Sequence, residues 1–284
     1  MRMGFIGLGR MGVVQARLAR HFGDAIAFGV DRDAAACAYF AREFSAPVVP
    51  TIAQAGSGLP APVDVLWVTV CDGAIGDVAA ELGARIPASC VVLHTSGALS
   101  SDVLRQALPQ CACASFHPLM ACPLKEVRDD ECVRAYDGII HAYEGDDAAC
   151  AVCQKLLERL HGDGVQIETR YKTLYHAGAV FSSNYILACL HTGCLMLERC
   201  GLSPEQAVRA ALRMCRQNLD AVESSSLADA LTGPVKRRDW ETIRRHEAAI
   251  EADMPTVLAL YRELKAATER LATQEARACP GMPV

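Results

Sequence analysis

Three features are missing from the sequence, and each absence excludes a class of protein. Arginine and lysine (28) do not outnumber aspartate and glutamate (33), so the net charge of −5 offers no basic surface to nucleic acids or anionic membranes. No apolar run reaches the ~20 residues that a membrane span needs. Glycines and Arg10 interrupt the N-terminal segment, where a signal peptide has an unbroken apolar core. We therefore expect a cytoplasmic protein that binds neither nucleic acids nor membranes.

The 14 cysteines lack the spacing of a metal site. Only Cys150 and Cys153 form a C-x-x-C pair, and no second pair lies at a zinc-finger distance. Most cysteines stand where alanine or valine would fit, as small buried hydrophobic residues do in a reducing cytosol. We predict no metal site, and we favour buried free thiols over disulfides.

The most specific motif stands near the N-terminus, between an apolar strand-like segment and a segment of helical periodicity. Residues 7–12 read Gly-Leu-Gly-Arg-Met-Gly, the G-x-G-x-x-G spacing of a dinucleotide-binding turn. The first glycine permits the tight turn, the second lets the backbone approach a pyrophosphate, and the third lets the helix pack closely on its strand. The helix N-terminus adds free N–H groups and a positive dipole for the phosphates. The predicted cofactor residues of this turn are Gly7, Leu8, Gly9, Arg10, Met11 and Gly12.

Asp31 and Arg32 follow the second predicted strand and bear on the choice of nicotinamide cofactor. A carboxylate about 20 residues beyond the glycine turn accepts hydrogen bonds from the ribose hydroxyls and repels a 2′-phosphate, which favours NAD. An arginine at this place can instead receive that phosphate. We therefore predict NAD or NADP as the cofactor, with both residues in its site and a slight preference for NAD.

Apolar runs alternate with helical segments over the first 168 residues. The runs that we predict as strands are residues 3–6, 25–30, 63–70, 90–96, 111–119, 136–143 and 165–167. Such runs are typical of buried parallel strands, so we predict an α/β domain over residues 1–168 with a doubly wound parallel sheet. Ligands bind beyond the carboxyl ends of these strands. The residues at those ends are Thr69, Val70 and Thr95, expected at the cofactor, and Ser96 and His117, expected at the substrate, although a structural role for His117 stays open.

Residues 169–284 have only helical periodicity, which predicts a second, all-α domain. Its first helix is predicted to run unbroken from Lys172 to a stop at Gly201. At 100° per residue, Lys172, His176 and Ser183 share one face of that helix, and Asn184 borders the face. Buried polar groups need partners, so these side chains on an apolar helix indicate a ligand cavity or a buried network. We favour the cavity, because a domain junction is where a substrate meets a nicotinamide.

Nearly the whole chain resembles Rossmann-like proteins whose helical half is domain of unknown function 2520, relatives of 6-phosphogluconate dehydrogenase, pyrroline-5-carboxylate reductase and ketopantoate reductase. The segments that carry the resemblance are GFIGLGRMG (4–12), HTSGAL (94–99), FHPL (116–119), YHAGAVFSSN (175–184) and ALTGPVKRRD (230–239). The resemblance implies a Rossmann domain, a nicotinamide cofactor, and a helical domain that often forms a homodimer through its long helix.

Two departures from the family pattern limit what the resemblance implies. Arg238 stands where the family has a glycine. If that position has a positive φ, an arginine costs roughly 1–2 kcal/mol there. The Gly-x-x-x-Lys-x-x-x-Asn helix motif of the hydroxyacid dehydrogenases in the wider group is absent, so their lysine mechanism is not transferred.

These patterns predict an NAD(P)-dependent oxidoreductase for a small carbonyl compound, such as a 2-oxo acid, or for an imine. The substrate needs a proton when hydride arrives, and His176 is the expected general acid because imidazole titrates near neutrality. Lys172 is the alternative acid, and Asn184 is expected to hold the polar substrate atom. The other predicted substrate contacts are Ser183, Thr232, His117 and Ser96. A non-catalytic NAD(P)-binding sensor dimer is the alternative function.

Overall fold

The computed structural model describes residues 1–55, 58–120, 122 and 128–273. The chain divides into two compact units, Met1–Ser183 and Asn184–Val284. The first unit extends past residue 168, where the sequence predicts the domain boundary, and it includes Lys172 and His176. Each unit is described here by its own elements.

One eight-stranded sheet runs through the first unit. Its strands are β1 (Arg2–Ile6), β2 (Ala25–Val30), β3 (Val48–Val49), β4 (Val65–Val68), β5 (Val91–His94), β6 (Ala112–Pro118), β7 (Ile140–Gly145) and β8 (Asp163–Gln166). The spatial order is β3-β2-β1-β4-β5-β6-β7-β8, with β6 and β7 antiparallel and the other neighbours parallel. The chain therefore winds outward from β1 in both directions, which is the doubly wound arrangement. The predicted α/β class with a Rossmann-type sheet is confirmed, with one antiparallel pairing added.

Helices cover both faces of this sheet. They are α1 (Arg10–His21), α2 (Ala34–Phe44), α3 (Asp72–Leu82), α4 (Asp102–Arg105), α5 (Asp129–Tyr136), α6 (Asp147–Arg159) and α7 (Lys172–Phe181). Trp67 and Leu93 pack against α1, α2 and α6 on one face, whereas Leu66 and Val92 pack against α3 and α4 on the other. Because successive strand residues enter opposite layers, both sets must be apolar. This explains the unbroken apolar runs in the sequence.

The strand predicted at residues 136–143 starts too early. Tyr136 ends α5 and is fully buried, and β7 begins only at Ile140. Gly138, with φ +70, lies in the turn between them and adopts a backbone conformation that residues with a side chain rarely take. After this turn, β7 pairs antiparallel with β6.

Up to residue 273, where the described residues end, the second unit is helical wherever it has regular structure. Its helices are α8 (Asn184–Arg199), α9 (Pro204–Glu223), α10 (Leu227–Ala230), α11 (Gly233–Lys236), α12 (Trp240–Asp253) and α13 (Leu258–Thr273). The predicted all-α half is confirmed, and Gly201 follows α8 with φ +99, as a C-terminal glycine should. The single helix predicted between Lys172 and Gly201 is wrong, because a turn at 182–183 separates α7 from α8. The Ser183 hydroxyl donates to the Ala179 carbonyl (2.7 Å), a bond that bends helices.

The stretch Thr169–Arg199 is long and apolar enough, by length and composition only, to cross a membrane. Its most apolar window has a mean hydropathy of 1.4, so the prediction that no such stretch exists is wrong. Only 6% of that window is buried within the chain, and Leu174, Phe181 and Leu187 are each about two-thirds exposed. One such stretch is weak evidence for a membrane span, because a helix covered by another protein subunit has the same composition.

The described cysteines are free thiols. Cys150 and Cys153, the C-x-x-C pair, lie buried on α6 against the sheet. Burial raises the pKa of Cys150 to about 11, so this thiol stays protonated near neutral pH. In the part of the chain that the structure describes, no three His, Cys, Asp or Glu side chains are grouped to hold a metal ion.

Candidate active site

The glycine turn between β1 and α1 has the geometry that its spacing predicts. Gly7 has φ +92, and a Cβ there would lie 2.6 Å from the Val70 backbone nitrogen. A Cβ on Gly12 would collide with the Gly7 carbonyl, whereas a Cβ on Gly9 would meet nothing within 4 Å. Glycine is therefore required at positions 7 and 12 by the fold, while Gly9 leaves open space above the backbone. Thr69 holds the turn closed, because its hydroxyl donates to the Gly7 carbonyl (2.6 Å).

Helix α1 begins at this turn with its first N–H groups uncapped by any side chain, since its N-cap residue is Gly9. An uncapped helix N-terminus is a site of positive potential that binds anions. Arg10, next to Gly9, is exposed and adds a positive charge at the same place. The turn thus offers open space, free donors and positive charge, which fit the pyrophosphate of a dinucleotide.

A cavity of about 360 Å³ opens beside the glycine turn, at the carboxyl ends of β1, β2 and β4. Six residues predicted at the cofactor line it: Gly7, Gly9, Asp31, Arg32, Thr69 and Val70. Leu8 is instead fully buried in the core, and the Met11 sulfur accepts hydrogen bonds from Gln15 and Tyr136. Neither residue lines the cavity, and both contribute to the packing of the turn. The cofactor role of half-buried Thr95, which follows β5, stays a prediction.

Two histidine rings converge further along the same carboxyl edge, where β5 and β6 end. His117 is the last residue but one of β6, and His176 lies on α7. A Cβ on Gly97, in the loop after β5, would collide with His176 Nδ1 and would lie 2.9 Å from His117 Nε2. The ring centroids are 6.1 Å apart, with the rings nearly perpendicular. Both nitrogens therefore lie directly against Gly97, and this close approach is possible because residue 97 has no side chain.

His117 is neutral and is held by Tyr175. Its Nδ1 lies 2.8 Å from the Tyr175 hydroxyl, and that hydroxyl lies 3.5 Å from the His117 carbonyl. Burial and then the positive charge of Lys172 lower the pKa of His117 to about 3, so the ring is neutral near pH 7. One nitrogen of a neutral imidazole carries the proton and the other accepts hydrogen bonds. His117 Nε2, which lies against Gly97, is the nitrogen that does not contact Tyr175.

His176 completes the pair with an unused nitrogen. Its Nδ1 is buried and has no hydrogen-bond partner among the described residues. A buried nitrogen without a partner costs roughly 1–3 kcal/mol, and such atoms are commonly satisfied by a ligand or a water molecule. The unpartnered His176 Nδ1 is therefore the atom of this site at which a polar ligand atom or a water molecule is expected.

Lys172 lies on α7, four residues before His176, and is only 1% exposed. Its ammonium group donates to the Ser115 hydroxyl (2.6 Å), which in turn donates to the Ser96 carbonyl (3.2 Å). Burial lowers the pKa of Lys172 to about 8, although the negative charge of Glu144 opposes this shift. Lys172 therefore remains a cation at pH 7 and links α7 to β6 and to the loop that carries Gly97.

His94 and Ser96 hold that loop in place. His94 Nδ1 accepts from the Ser96 N–H (3.1 Å), and its Nε2 donates to the Ser100 carbonyl (3.2 Å). The Ser96 hydroxyl accepts from the N–H groups of Ala98 and Leu99. Ser96 therefore stabilises the loop that carries Gly97. Its contact with a substrate stays a prediction.

The structure brings together only part of the polar set predicted on the long helix. Lys172 and His176 both reach the strand ends of the first unit. Ser183 is exposed and its hydroxyl bonds back to its own helix. Asn184 and Thr232 are exposed residues of the second unit. Their roles stay predictions.

Several residues of this site were not singled out from the sequence: Gly97, Ser115, Glu144 and Tyr175. Tyr175 was detectable, because it lies three residues after Lys172 and so shares its helix face. Gly97 and Ser115 gave no signal of their own, since a loop glycine and a strand serine are common. Only their position beside the histidines reveals what they do.

Comparisons with known proteins agree with this geometry. Residues 139–268 match the family model described as Domain of unknown function (DUF2520). The chain carries a DUF2520 domain. This domain begins at β7 and so contributes Lys172, Tyr175 and His176, whereas Gly97 and His117 precede it. No curated protein matches the chain by sequence.

Solved structures share the fold over almost the whole chain. Protein TM1727 from Thermotoga maritima has 22% identity and a TM-score of 0.74, over 95% of this chain and 98% of its own. A candidate NADP oxidoreductase, BF3122 from Bacteroides fragilis, has 18% identity, a TM-score of 0.74 and the same two coverages. Pyrroline carboxylate reductase from Plasmodium falciparum, with NADP bound, has 13% identity and a TM-score of 0.59, over 96% of this chain and 98% of its own. At these identities the similarity establishes the fold of the chain and leaves its substrate open.

Proposed function

We propose that the protein is an NAD(P)-dependent oxidoreductase that acts on a small carbonyl or imine compound. The observation that carries the proposal is the arrangement along one sheet edge. The dinucleotide turn lies at β1 and β4, and the converging histidines lie at the ends of β5 and β6. In doubly wound sheets, ligands bind at this edge. The names of similar solved structures, among them an NADP oxidoreductase and a reductase with NADP bound, support the same class.

The nicotinamide cofactor would supply or accept the hydride, and the residues of the chain would bind the substrate and move its proton. The His117 Nε2–H would donate a hydrogen bond to the substrate carbonyl oxygen or imine nitrogen. His176, through its free Nδ1, would deliver the proton that this atom needs when the carbon is reduced, and would remove it in the reverse direction. The roles of Asn184, Ser183 and Thr232 as further substrate contacts are part of the proposal.

Lys172 fits the role of an alternative acid less well than His176. Its ammonium group is buried and bonded to Ser115, whereas the buried His176 Nδ1 has no hydrogen-bond partner among the described residues. We assign Lys172 a positioning role: burial first, and then the charge of Lys172, lower the pKa values of His94 and His117, so both rings stay neutral. A neutral His117 can donate a hydrogen bond to the substrate without giving up its own proton.

Turnover of candidate substrates by the purified full chain tests the proposal. Absorbance of the reduced cofactor is followed with 2-oxo acids, cyclic imines and aldehydes. With an active substrate, His176→Gln should lower kcat by about 100-fold or more, the usual scale for a proton donor. The matched control is His21→Gln, since His21 is exposed at the end of α1 and should leave kcat unchanged.

The sensor alternative makes a different prediction in the same experiment. Tight binding of a reduced cofactor without oxidation by any of these compounds would favour a nucleotide sensor over an enzyme. Undiminished turnover in the His176→Gln variant would remove His176 from the mechanism and leave His117 as the group to test next.

We also propose that the protein forms a homodimer through its helical unit. Large apolar side chains on α8 and α9 are exposed, and their buried core is limited to Cys194, Ala207 and Ala211. Exposed apolar surface of this extent marks an interaction site in proteins. Light scattering on the full chain should give twice the mass of the 284-residue polypeptide. A mass of one chain at micromolar concentration would exclude the dimer.

A further inference from the structure

Glu144 is a buried carboxylate close to the candidate active site that the proposed mechanism does not use. It stands on β7 and is only 2% exposed. Moving a carboxylate out of water is unfavourable unless the group is hydrogen-bonded and paired with a positive charge. The partners of Glu144 therefore indicate its role.

Three hydrogen bonds reach this carboxylate from two segments that carry active-site residues. One oxygen accepts from the Ser101 N–H (2.7 Å), and the other accepts from the hydroxyls of Ser101 and Thr169 (2.9 Å each). Ser101 is the last residue of the loop that carries Gly97, and Thr169 begins the turn that leads into α7. Both oxygens act only as acceptors, as those of an ionised carboxylate do. We call these three hydrogen bonds the Glu144 clamp.

The buried ammonium group of Lys172 lies on the same face of the sheet as this carboxylate. Ser115, which accepts the hydrogen bond from Lys172 (2.6 Å), is directly opposite Glu144 in the pairing of β6 and β7. Side chains of such opposite residues share a face, with their Cβ atoms about 4.5–5.5 Å apart. Burial lowers the pKa of Lys172 to about 8, and the negative charge of Glu144 is the largest effect that opposes burial.

The other ionisable groups around Lys172 do not replace this charge. Asp72 also raises the pKa of Lys172, but it is exposed at the start of α3, where water screens its charge. Burial keeps the remaining groups uncharged near pH 7, because it raises the pKa of a thiol or a phenol and lowers that of an imidazole. These groups are Cys153, Tyr175, His94 and His117.

We propose that Glu144 is a positioning residue of the candidate active site, because it is the buried counter-charge of Lys172 and holds α7 to the Gly97 loop. His176 stands on α7, and its Nδ1 lies against Gly97, so the clamp joins the two segments that meet there. The inference rests on the proposed function only for the role of His176 as a proton donor. The counter-charge and the clamp belong to the folded chain and are measured without turnover.

NMR titration of the full chain, with 13C-labelled lysine side chains, tests the counter-charge. The Lys172 signal, assigned through its backbone resonances, should titrate with a midpoint of about 8 in the wild-type chain. Glu144→Gln should lower this midpoint by at least about one pH unit, since a nearby opposite charge shifts a pKa by about 1–3 units. An unchanged midpoint, or a Lys172 side chain that is already neutral at pH 7 in the wild-type chain, would overturn the inference.

Asp146→Asn is the matched control for Glu144→Gln. Asp146 lies just after β7, and its carboxylate also accepts from a backbone N–H, that of Cys113 (2.8 Å). The substitution removes one negative charge, but Asp146 is not among the groups whose charges act on Lys172. The Lys172 midpoint should therefore stay unchanged. Equal shifts in both variants would show that net charge, and not Glu144, sets the protonation of Lys172.

Hydrogen exchange of backbone amides tests the clamp. Thr169→Val keeps the charge of Glu144 and removes one hydroxyl from the clamp. The amides of α7 should exchange at least about tenfold faster, because a hydrogen bond to a charged group contributes at least this factor to local opening. The amides of α1 should not change. Thr173→Val makes the same chemical change at an exposed position of α7 and should leave exchange unchanged.

Unchanged exchange of α7 in Thr169→Val, or equal acceleration in α1, would contradict the clamp. This variant and the wild-type titration also decide the matter if circular dichroism shows that Glu144→Gln does not fold. With an active substrate, Thr169→Val should lower kcat several-fold and leave the KM of the cofactor unchanged. If the NMR and exchange results hold but no compound is turned over, the proposed enzyme fails and the inference stands. If turnover depends on His176 while the Lys172 midpoint ignores Glu144, the inference fails and the enzyme stands.

Discussion

Arg238 has φ +56, a left-handed backbone conformation that is unfavourable for any residue with a side chain. The family pattern has a glycine here, and the position has the positive φ on which the expected strain of an arginine depends. The strain itself stays a prediction. Arg238→Gly should raise the free energy of unfolding by about 0.5–1 kcal/mol, because the relief of strain exceeds the extra freedom that glycine gives the unfolded chain. Chemical denaturation followed by circular dichroism measures the change.

Arg237 is the control for this substitution, because it has φ −84 at the end of α11. Arg237→Gly relieves no strain and should lower the free energy of unfolding by up to about 1 kcal/mol. Equal changes in the two variants would mean that loss of positive charge, and not backbone geometry, determines the result.

Gly97 is the residue on which the histidine pair depends. Gly97→Ala would place a methyl group against His176 Nδ1 and His117 Nε2, so the two rings or the loop would have to shift. With an active substrate, kcat/KM should fall by at least about tenfold, since a 1 Å misplacement costs up to about 100-fold. Cofactor affinity should stay unchanged, because residue 97 lies outside the cavity at the glycine turn.

The matched control is Gly193→Ala, a second glycine-to-alanine change at a helical position with nothing within 4 Å of the new methyl group. It should keep full activity and stabilise α8 by about 0.5–1 kcal/mol. Full activity in Gly97→Ala would show that the substrate binds elsewhere.

Helix α9 begins with a reciprocal cap that the sequence Ser203-Pro204-Glu205-Gln206 predicts. The Ser203 hydroxyl accepts from the Gln206 N–H (3.3 Å), and the Gln206 side chain accepts from the Ser203 N–H (2.9 Å). Ser203→Ala should therefore lower the free energy of unfolding by about 1 kcal/mol. Ser224→Ala, at the other end of the helix, removes no N-terminal cap and should change stability little. A thermal melt of each variant distinguishes the two ends.

The elements that the sequence predicted well are those whose pattern has one local cause. The strands around Leu66 and Val92 are apolar at every position because helices cover both faces, and β4 and β5 fall within their predicted runs. The glycine turn was equally predictable, since Gly7 and Gly12 are fixed by backbone contacts within one strand-turn-helix unit. Where local sterics and burial determine an element, the residue types of that segment reveal it.

The elements that were missed depend on distant partners. The break between α7 and α8 at residues 182–183 leaves no signal in the helical periodicity, which continues across it. The candidate site shows the same limit. Lys172 and His176 were found from their helix face, but Gly97 is 79 positions earlier than His176 and joins it only through the fold. Pairings over such distances require coordinates.

Three buried histidines affect the stability of the whole molecule. Burial lowers the pKa values of His94 and His141 to about 4 and that of His117 to about 3, from about 6.5 in the unfolded chain. Between pH 6.5 and 4 the unfolded chain binds protons that the folded chain excludes, so stability is complete above pH 6.5 and is lost as the pH falls. Each histidine contributes a slope of up to about 1.4 kcal/mol per pH unit. Denaturant titrations at pH 7.5, 6.5, 5.5 and 5.0 measure that slope.

His141 separates this effect from the chemistry of the site, because it is fully buried on β7 and has no place in the proposed mechanism. Its ring stacks on Phe116 with centroids 4.7 Å apart, and neither ring nitrogen has a hydrogen-bond partner among the described residues.

Phenylalanine at position 141 can keep the stacking and removes both the proton site and the unsatisfied nitrogens. His141→Phe should therefore stabilise the protein by about 2 kcal/mol at pH 5 and flatten the pH slope by one histidine's share. His21→Phe, at an exposed position, should leave the slope unchanged. If His141→Phe also left the slope unchanged, the acid sensitivity would have to come from His94 and His117. His94 holds the loop of the candidate site and His117 forms part of that site. Loss of stability and loss of activity would then occur in the same pH range.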